Sequence, residues 1–461
     1  MKKKMAILGL IALIGIPFAV FAGGTKDTRT PLTYLAWNLG TEQENNLERR
    51  MLTAFAAAHP DVNLTVLEVP KNADGTNGSY DNYITTLASQ SNLPDVYMWT
   101  NVVDTAGAGW AYNVSDYALK DKDFTNIMAT LRESSKINGH VYAIPYAMHY
   151  FGIAVNLSIF EELNVEPLPF NYTINQLREK IAAATTNKYK GIDNFAIEDW
   201  GAFTINSSLG YATFDGTKYN FTSDAYAQAI SIYRDIAARG QTGNGSIVEP
   251  ASWLPEGAGW AWGEGYVALQ YEATWSLGGF VNGERPFKAD LYPLPGEKVV
   301  IVPDFIYIGA NTKTPELSYE LAKWMSYGEA GQKQRVALAK ANNFTLSGLP
   351  LAPGAYPEVD TFYLQSYQSL PNFTRLYKLI QEKPENAILE SFKVVPGFNQ
   401  SRFVADTGVL GTVNGVEKSL TISELIMSIV KGERQLADYA AEMERIANSE
   451  YQKALTLVRN K

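Results

Sequence analysis

Residues 137–156, INGHVYAIPYAMHYFGIAVN, decide the fold. Asn138-Gly139 is a two-residue turn signal, because both residues tolerate the positive φ that a tight hairpin needs. Val141-Tyr142-Ala143-Ile144 has the content of a strand, and Pro145 interrupts it because proline has no N–H for a ladder. A second apolar run, Phe151 to Val155, follows at once and ends on Asn156. Two strands with no loop between them imply one extended segment passing from one packed body into another. The stretch is therefore expected to be a hinge, with Tyr146, His149 and Tyr150 exposed where it crosses.

On its N-terminal side, PLTYLAWNL (31–39) is a predicted strand, broken by Gly40. Thr41 and Glu44 stand at capping-box spacing, which marks a helix start. Leu47, Met51, Ala54, Phe55 and Ala58 recur at helical spacing, and the residue before Pro60 is pushed out of the α region. Val62 to Val66 alternates like a strand. Such a strand–helix–strand unit favours a parallel α/β sheet with right-handed crossovers. A helix over Tyr83–Leu87 and a third strand over Leu93–Trp99 follow.

Beyond the hinge, helices are predicted over Ile174–Thr185 and Ser223–Arg239, with a turn at Asp215-Gly216 between short aromatic strands. GEGYVALQ (263–270) reads as a strand leading to Trp275 and Gly278-Gly279. DLYPLP (290–295) precedes a second apolar crossing, Val299 to Gly309. An amphipathic helix over Pro315–Tyr327 comes next, and the chain from Thr421 onward is mostly helical.

The opening of the chain, Met1-Lys2-Lys3-Lys4 followed by apolar residues to Val20 and small residues at Ala22-Gly23, has the form of a cleavable secretory signal over residues 1–22. Pro17 and the short apolar length argue against a span, which needs about 20 apolar residues. The mature protein is expected outside the cytoplasm, in a periplasm or equivalent compartment. The absence of cysteine excludes disulfides, thiolate metal sites, cysteine nucleophiles and a lipidated cysteine anchor. Removing the three signal lysines from 39 basic residues leaves 36 against 48 acidic ones, a net −12. That balance disfavours nucleic acid as a partner. About 440 mature residues suit two or three domains of roughly 150 residues.

Catalytic templates are missing: there is no Gly-x-Ser-x-Gly elbow, P-loop or Gly-x-Gly-x-x-Gly. The three histidines, His59, His140 and His149, are not at metal-ligand spacing. No cofactor and no metal are expected. The nine tryptophans point elsewhere. Sugar rings present C–H faces that pack on aromatic rings, and their hydroxyls need in-plane hydrogen bonds, so sugar sites combine Trp and Tyr with Asp, Glu, Asn and Arg. Trp37 and Trp99 lie at or near the carboxyl ends of predicted strands, where open α/β sheets place ligands. Trp275 follows the 263–270 strand in the same manner.

Several short words in this order form a pattern. Ala-His-Pro-Asp-Val (58–62), Leu-Pro-Asp-Val (93–96), Gly-His-Val-Tyr-Ala-Ile-Pro (139–145) before a strand ending in Asn156, and Gly-Ala-Asn-Thr-Lys (309–313) before a helix with Lys-Trp-Met (323–325) are collinear with those of extracellular solute-binding proteins. The chain resembles that family, of the maltose-binding type, from about Leu32 to Ala339. The resemblance implies a type II periplasmic-binding-protein fold: two discontinuous α/β lobes, each a mostly parallel sheet flanked by helices, with the ligand cleft between. Residues 32–148 plus 304–343 would form the N-terminal lobe and 149–303 plus 344–461 the C-terminal lobe. It also implies a monomer that captures a carbohydrate by hinge closure and delivers it to the membrane permease subunits of an ABC importer.

Within the resemblance, Trp99 and Trp275 match sugar-stacking tryptophans, and His149, seven residues before Asn156, falls where the family often has a polar ligand contact. The candidate contact set is Trp37, Glu42, Trp99, Asn101, His149, Tyr150, Trp200, Trp262, Glu272, Trp275 and Tyr307. Asp104 and Asp304 flank the expected cleft. Glu272 departs from the family pattern, which often has Asn or Gly there. The near-identical words Gly-Ala-Gly-Trp-Ala at 107–111 and 257–261 are better explained by chance, Gly and Ala being abundant, than by a shared role at two cleft rims. The rival to a binding protein is a secreted glycoside hydrolase or lyase, which needs two carboxyls about 5–5.5 or 6.5–9.5 Å apart; no such pair is evident. A third possibility keeps the fold and changes the ligand to a peptide, polyamine or metal complex.

Overall fold

The computed structural model describes residues 27–72, 76–193, 195–243 and 253–459. The expected signal segment, 1–22, lies outside the described residues.

The 137–156 stretch forms as its sequence implies. Asn138 and Gly139 take φ of 51° and 84° and close the two-residue turn between Lys136–Ile137 and His140–Val141. Ile144–Asn156 is then one uninterrupted 13-residue strand. Pro145 does not end it. The strand absorbs the proline where its register against Val299–Ile308 shifts, between Asp304 and Phe305, a local irregularity of the kind that tolerates a missing donor.

This strand and Val299–Ile308 lie side by side, antiparallel, at the middle of a nine-stranded sheet. On one flank stand Val96–Trp99, Thr30–Leu35 and Val62–Val66, the last three mutually parallel. On the other stand Val267–Ala273 and, parallel to it, Lys190–Asp193. Ala289–Tyr292 also pairs with the first crossing strand, and Ala387–Leu389 with the second. The parallel arrangement expected for each lobe therefore holds at the flanks and gives way to antiparallel pairing at the centre. One crossing strand carries the chain out of the first lobe and the other brings it back, so their directions must oppose.

Alternation along these strands divides the core. Tyr34, Met98, Ile306, Ala154 and Ile301 fall into one buried cluster that covers a single face of the sheet through both lobes. The residues between them face the other way. Leu35, Tyr97 and Tyr307 belong to a cluster in the first lobe, and Ile153, Val155 and Val300 to one in the second. That is the period-two signature of strands buried on both faces.

Helices are close to expectation. Leu47–Ala58 buries Met51, Leu52 and Phe55, but its N-cap is Asn46, whose side chain accepts from Arg49 N. The reciprocal Thr41–Glu44 bonds do form, at 2.6 and 3.3 Å, yet they close a turn three residues upstream. Ile174–Ala184, Asp224–Ala238 and Pro315–Met325 are present as helices. The aromatic strands expected beside Asp215-Gly216 are not; Tyr211–Thr213 is a short 3-10 turn.

The segment 344–461 divides. Leu346 to Ile380 fills the cluster shared with the first lobe, and Val395 to Ala447 that of the second. The final helix, Ala440–Leu457, is bonded to the second lobe through Glu444 to Thr222 N and Asn448 to Tyr219 N. Its far end rests on the first lobe, where Val458 is buried and its carbonyl accepts from the Asn138 side chain at 2.9 Å.

Candidate functional site

A cavity of about 440 Å³ opens at the crossing, within the size range of ligand sites, roughly 300–1,000 Å³. Trp37, Asn38, Glu48 and Arg335 line it from the first lobe; Tyr146, His149 and Asp304 from the crossing strands; Trp275 from the second lobe; and residues 344–351 complete its rim.

Its first-lobe wall is a charged lattice. Arg335 holds Glu48 with both terminal nitrogens, the Nη2 bond measuring 3.0 Å, and Nη2 also donates to the Met325 carbonyl at 2.7 Å. Tyr146 donates its hydroxyl to Glu48 at 2.5 Å and accepts from Asn38 at 2.7 Å. Each partner is mostly screened from water, so the lattice is rigid and the pair is strongly coupled.

The crossing itself carries a second group of polar side chains. Asp304 is paired with Lys393 and lies 3.7 Å from His149 Nε2. His149 Nδ1 is 3.3 Å from the Thr274 hydroxyl. Burial, with the nearby Lys393, pushes the His149 pKa down to about 4 against the pull of Asp304; the imidazole is neutral near pH 7. Behind it, burial raises the Glu390 carboxyl to about 7, while its oxygens accept the Phe392 and Lys393 amides.

Aromatic rings face the cavity from both sides. Trp275 meets His149 edge-on at 5.2 Å and Phe151 at 5.0 Å. In the first lobe Trp37 touches Tyr80, Tyr80 stacks on Trp99, and Trp99 leans on Trp110, with centroids 5.6, 6.3 and 6.0 Å apart.

Of the sequence-derived set, Trp37, His149 and Trp275 come together at the cavity, and Trp99 stands two rings back from Trp37. The remaining residues of the set stand outside the lining of that cavity. Trp200 and Trp262 are 0% exposed: Trp200 gives its N–H to Phe195 O at 2.8 Å, and Trp262 packs between Phe280 and Phe287. Tyr150 and Tyr307 are also core residues, and Tyr307 donates to Thr100 O at 2.8 Å. Asn101 caps helix Val102–Gly107 and donates to the Phe392 and Val395 carbonyls, tying the first lobe to the C-terminal segment. Glu272 is buried on its strand, accepting from Gln270 and from Ala273 N. Glu42 sits exposed on the 41–44 turn, away from the cavity lining. Nor are the crossing residues Tyr146, His149 and Tyr150 exposed; all three are buried, because residues 344–402 pack over the crossing. Sequence reasoning missed Glu48 and Arg335, which lie 287 positions apart, and residues 344–351.

A continuous sheet traversed twice at a cavity between its halves defines a two-lobed type II periplasmic-binding-protein fold. Known structures agree. The chain superposes on an ABC substrate-binding protein from Listeria monocytogenes in complex with cycloalternan (TM-score 0.68, 16% identity, 91% of this chain and 98% of that one). It does likewise on the sugar-binding protein MalE of Xanthomonas citri (0.63, 13%, 94% and 100%). The chain belongs to the bacterial extracellular solute-binding protein family, whose model matches residues 40–332. A characterised relative is the melibiose/raffinose/stachyose-binding protein MelE of Bacillus subtilis, 24% identical over 173 residues; the match spans 36% of this chain and 37% of that protein. Among the described residues, no helix is long and apolar enough to cross a membrane.

Proposed function

We propose that this protein is the extracytoplasmic solute receptor of an ABC importer and that its solute is a carbohydrate, taken into the cavity at the crossing. The observation that carries the reading is the pairing of two exposed indoles, Trp37 and Trp275, with a fixed polar wall of Asn38, Glu48 and Arg335 around one cavity of suitable size. Indoles suit the C–H faces of a sugar ring, and the polar wall suits its hydroxyls. Relatives and structural neighbours named as sugar-binding proteins support the same ligand class. Capture would be by rotation of the lobes about His149–Tyr150 and Ile301–Pro303, the usual closure of such receptors, with the closed form presented to permease subunits by a monomer. A hydrolase is disfavoured chemically: the lining carboxylates Glu48 and Asp304 are each held in an ion pair, which suits neither a free general acid nor a nucleophile.

A thermal-shift and calorimetric screen of the secreted chain against mono- and oligosaccharides tests this. Ligand at 100 times Kd should add about 2.7 kcal/mol to the folded state. A sugar-specific shift lost in Trp275→Ala is the expected result. Release of cleavage products, or binding of amino acids or polyamines but no sugar, would sink the reading.

A further inference from the structure

Three of the nine tryptophans are more than a third exposed: Trp37 at 39%, Trp275 at 47% and Trp260 at 48%. Two of them line the cavity. The third stands in the 257–261 word and is absent from the cavity lining. This exposed ring is held firmly. The Arg285 guanidinium lies 4.4 Å from the Trp260 ring centroid. The ring also closes on Gly263, where an added Cβ would come within 2.6 Å of its Cε3 atom. A ring fixed by its neighbours and open on its remaining surface is a preorganised platform.

A track joins it to the cavity. Trp275 opens a short helical stretch in which Gly278 and Gly279 follow at i+3 and i+4, on the same side. The Cβ position of Gly278 looks onto the hydroxyl of Thr345, 3.6 Å away, and Thr345 is part of the cavity rim. The Cβ position of Gly279 looks onto the Glu284 carboxylate at 3.4 Å and Arg285 Nε at 3.7 Å. Thr345, Gly278, Gly279 and Arg285 thus form a run of neighbours from the cavity rim to the Arg285–Trp260 pair. Along it, Arg285 Nε is buried without a hydrogen-bond acceptor, a donor that a ligand hydroxyl would satisfy.

We propose that the ligand cleft continues past Trp275 along the Gly278-Gly279 side to Trp260 and Arg285, so that the ligand is an oligosaccharide whose outer ring stacks on Trp260 and whose hydroxyls meet Arg285. This rests on the carbohydrate reading above and adds length selectivity to it. The cavity at the crossing receives the inner rings, and the platform discriminates by chain length.

The test is calorimetry of the full secreted chain with two sugar ladders, melibiose, raffinose and stachyose in one and maltose, maltotriose and maltotetraose in the other. Wild type, Trp260→Ala, Trp260→Phe and Trp275→Ala are compared, with thermal midpoints recorded without sugar to show that each variant is folded. In the ladder that binds, Trp260→Ala should weaken the tetrasaccharide by about tenfold, a typical cost for losing one aromatic contact, and leave the disaccharide within about twofold. Trp260→Phe should restore most of the loss, and Trp275→Ala should weaken every length. Equal affinities of wild type and Trp260→Ala at every length, or an equal loss at every length, would overturn the extended cleft while leaving carbohydrate binding intact. If neither ladder binds the wild type while another solute class does, the carbohydrate reading falls and this inference falls with it.

Discussion

The two walls of the cavity are built on different physics. The first-lobe wall is a lattice of charge, Glu48–Arg335 with Tyr146 and Asn38, in which the charged pair is held by Tyr146 and the Met325 carbonyl and the buried Asn38 Oδ1 is left without a donor. The second-lobe wall is an uncharged stack, Trp275 on His149 and Phe151, whose histidine is kept neutral by burial. The difference separates two tasks. A lattice of paired charges holds its geometry whether or not a ligand is present, so it is suited to orienting hydroxyls. An exposed indole makes few demands on its partner's functional groups and is suited to accepting a ring face. On the carbohydrate reading proposed above, stability would be concentrated in the first wall and ligand affinity in the second.

Removing one charge from the first wall should have the largest effect. Arg335→Met leaves Glu48 in a largely desolvated site without its cation, and breaking such a pair by removing one partner costs about 3–5 kcal/mol. Urea denaturation should show a lower midpoint by that amount with an unchanged slope; a loss under about 1 kcal/mol would mean the lattice is a surface pair.

His149 sharpens the contrast through pH. Its folded pKa, about 4, lies below the unfolded value of about 6.5. Between those values the unfolded chain holds a proton that the folded chain does not, so stability is lost as pH falls from about 6.5 to 4. The difference in unfolding free energy between wild type and His149→Gln should be flat above about pH 7 and should fall by about 3 kcal/mol by pH 4. Taking the difference removes the opposing contribution of Glu390, whose raised pKa acts alike in both proteins. A flat difference curve would show that His149 remains protonatable and that the second wall is not dry.

The aromatic wall should matter least to folding. Trp275→Ala is expected to change stability by no more than about 0.5 kcal/mol, as for other exposed sites, while weakening sugar binding by about 2 kcal/mol, roughly thirtyfold. Equal losses in stability and affinity would erase the division between the walls.

The fold was legible because the crossing is a local feature: an Asn-Gly turn, a proline and an apolar run within 20 residues. The strand–helix alternation of the first lobe was equally local. The site was legible only in part, for the same reason. Trp200 and Trp262 carry the same kind of neighbourhood in sequence as Trp275, and what packs on the first two is Tyr271 or Phe280 and Phe287 arriving from other elements. Glu48 and Arg335 sit on separate helices far apart in the chain, so nothing near either one announces the other. The burial of Tyr146, His149 and Tyr150 depends on residues 344–402, a stretch whose helices Pro357–Ser366 and Pro371–Glu382 begin on prolines and show no word of the family. The Asn414-Gly415 turn of the hairpin Leu410–Val413 and Val416–Ser419 carries the same local signal as Asn138-Gly139.

The final helix has a mechanical consequence. It is anchored to one lobe at Glu444 and Asn448 and touches the other ten residues further on, at Val458. At 1.5 Å per residue that arm is about 15 Å long, so each degree by which the anchoring lobe turns swings the tip by about a quarter of an ångström. The contact of Val458 with Asn138, beside the turn that opens the first crossing, therefore works as the pointer of a gauge. Any rotation between the lobes would be read out there as a displacement of this single contact.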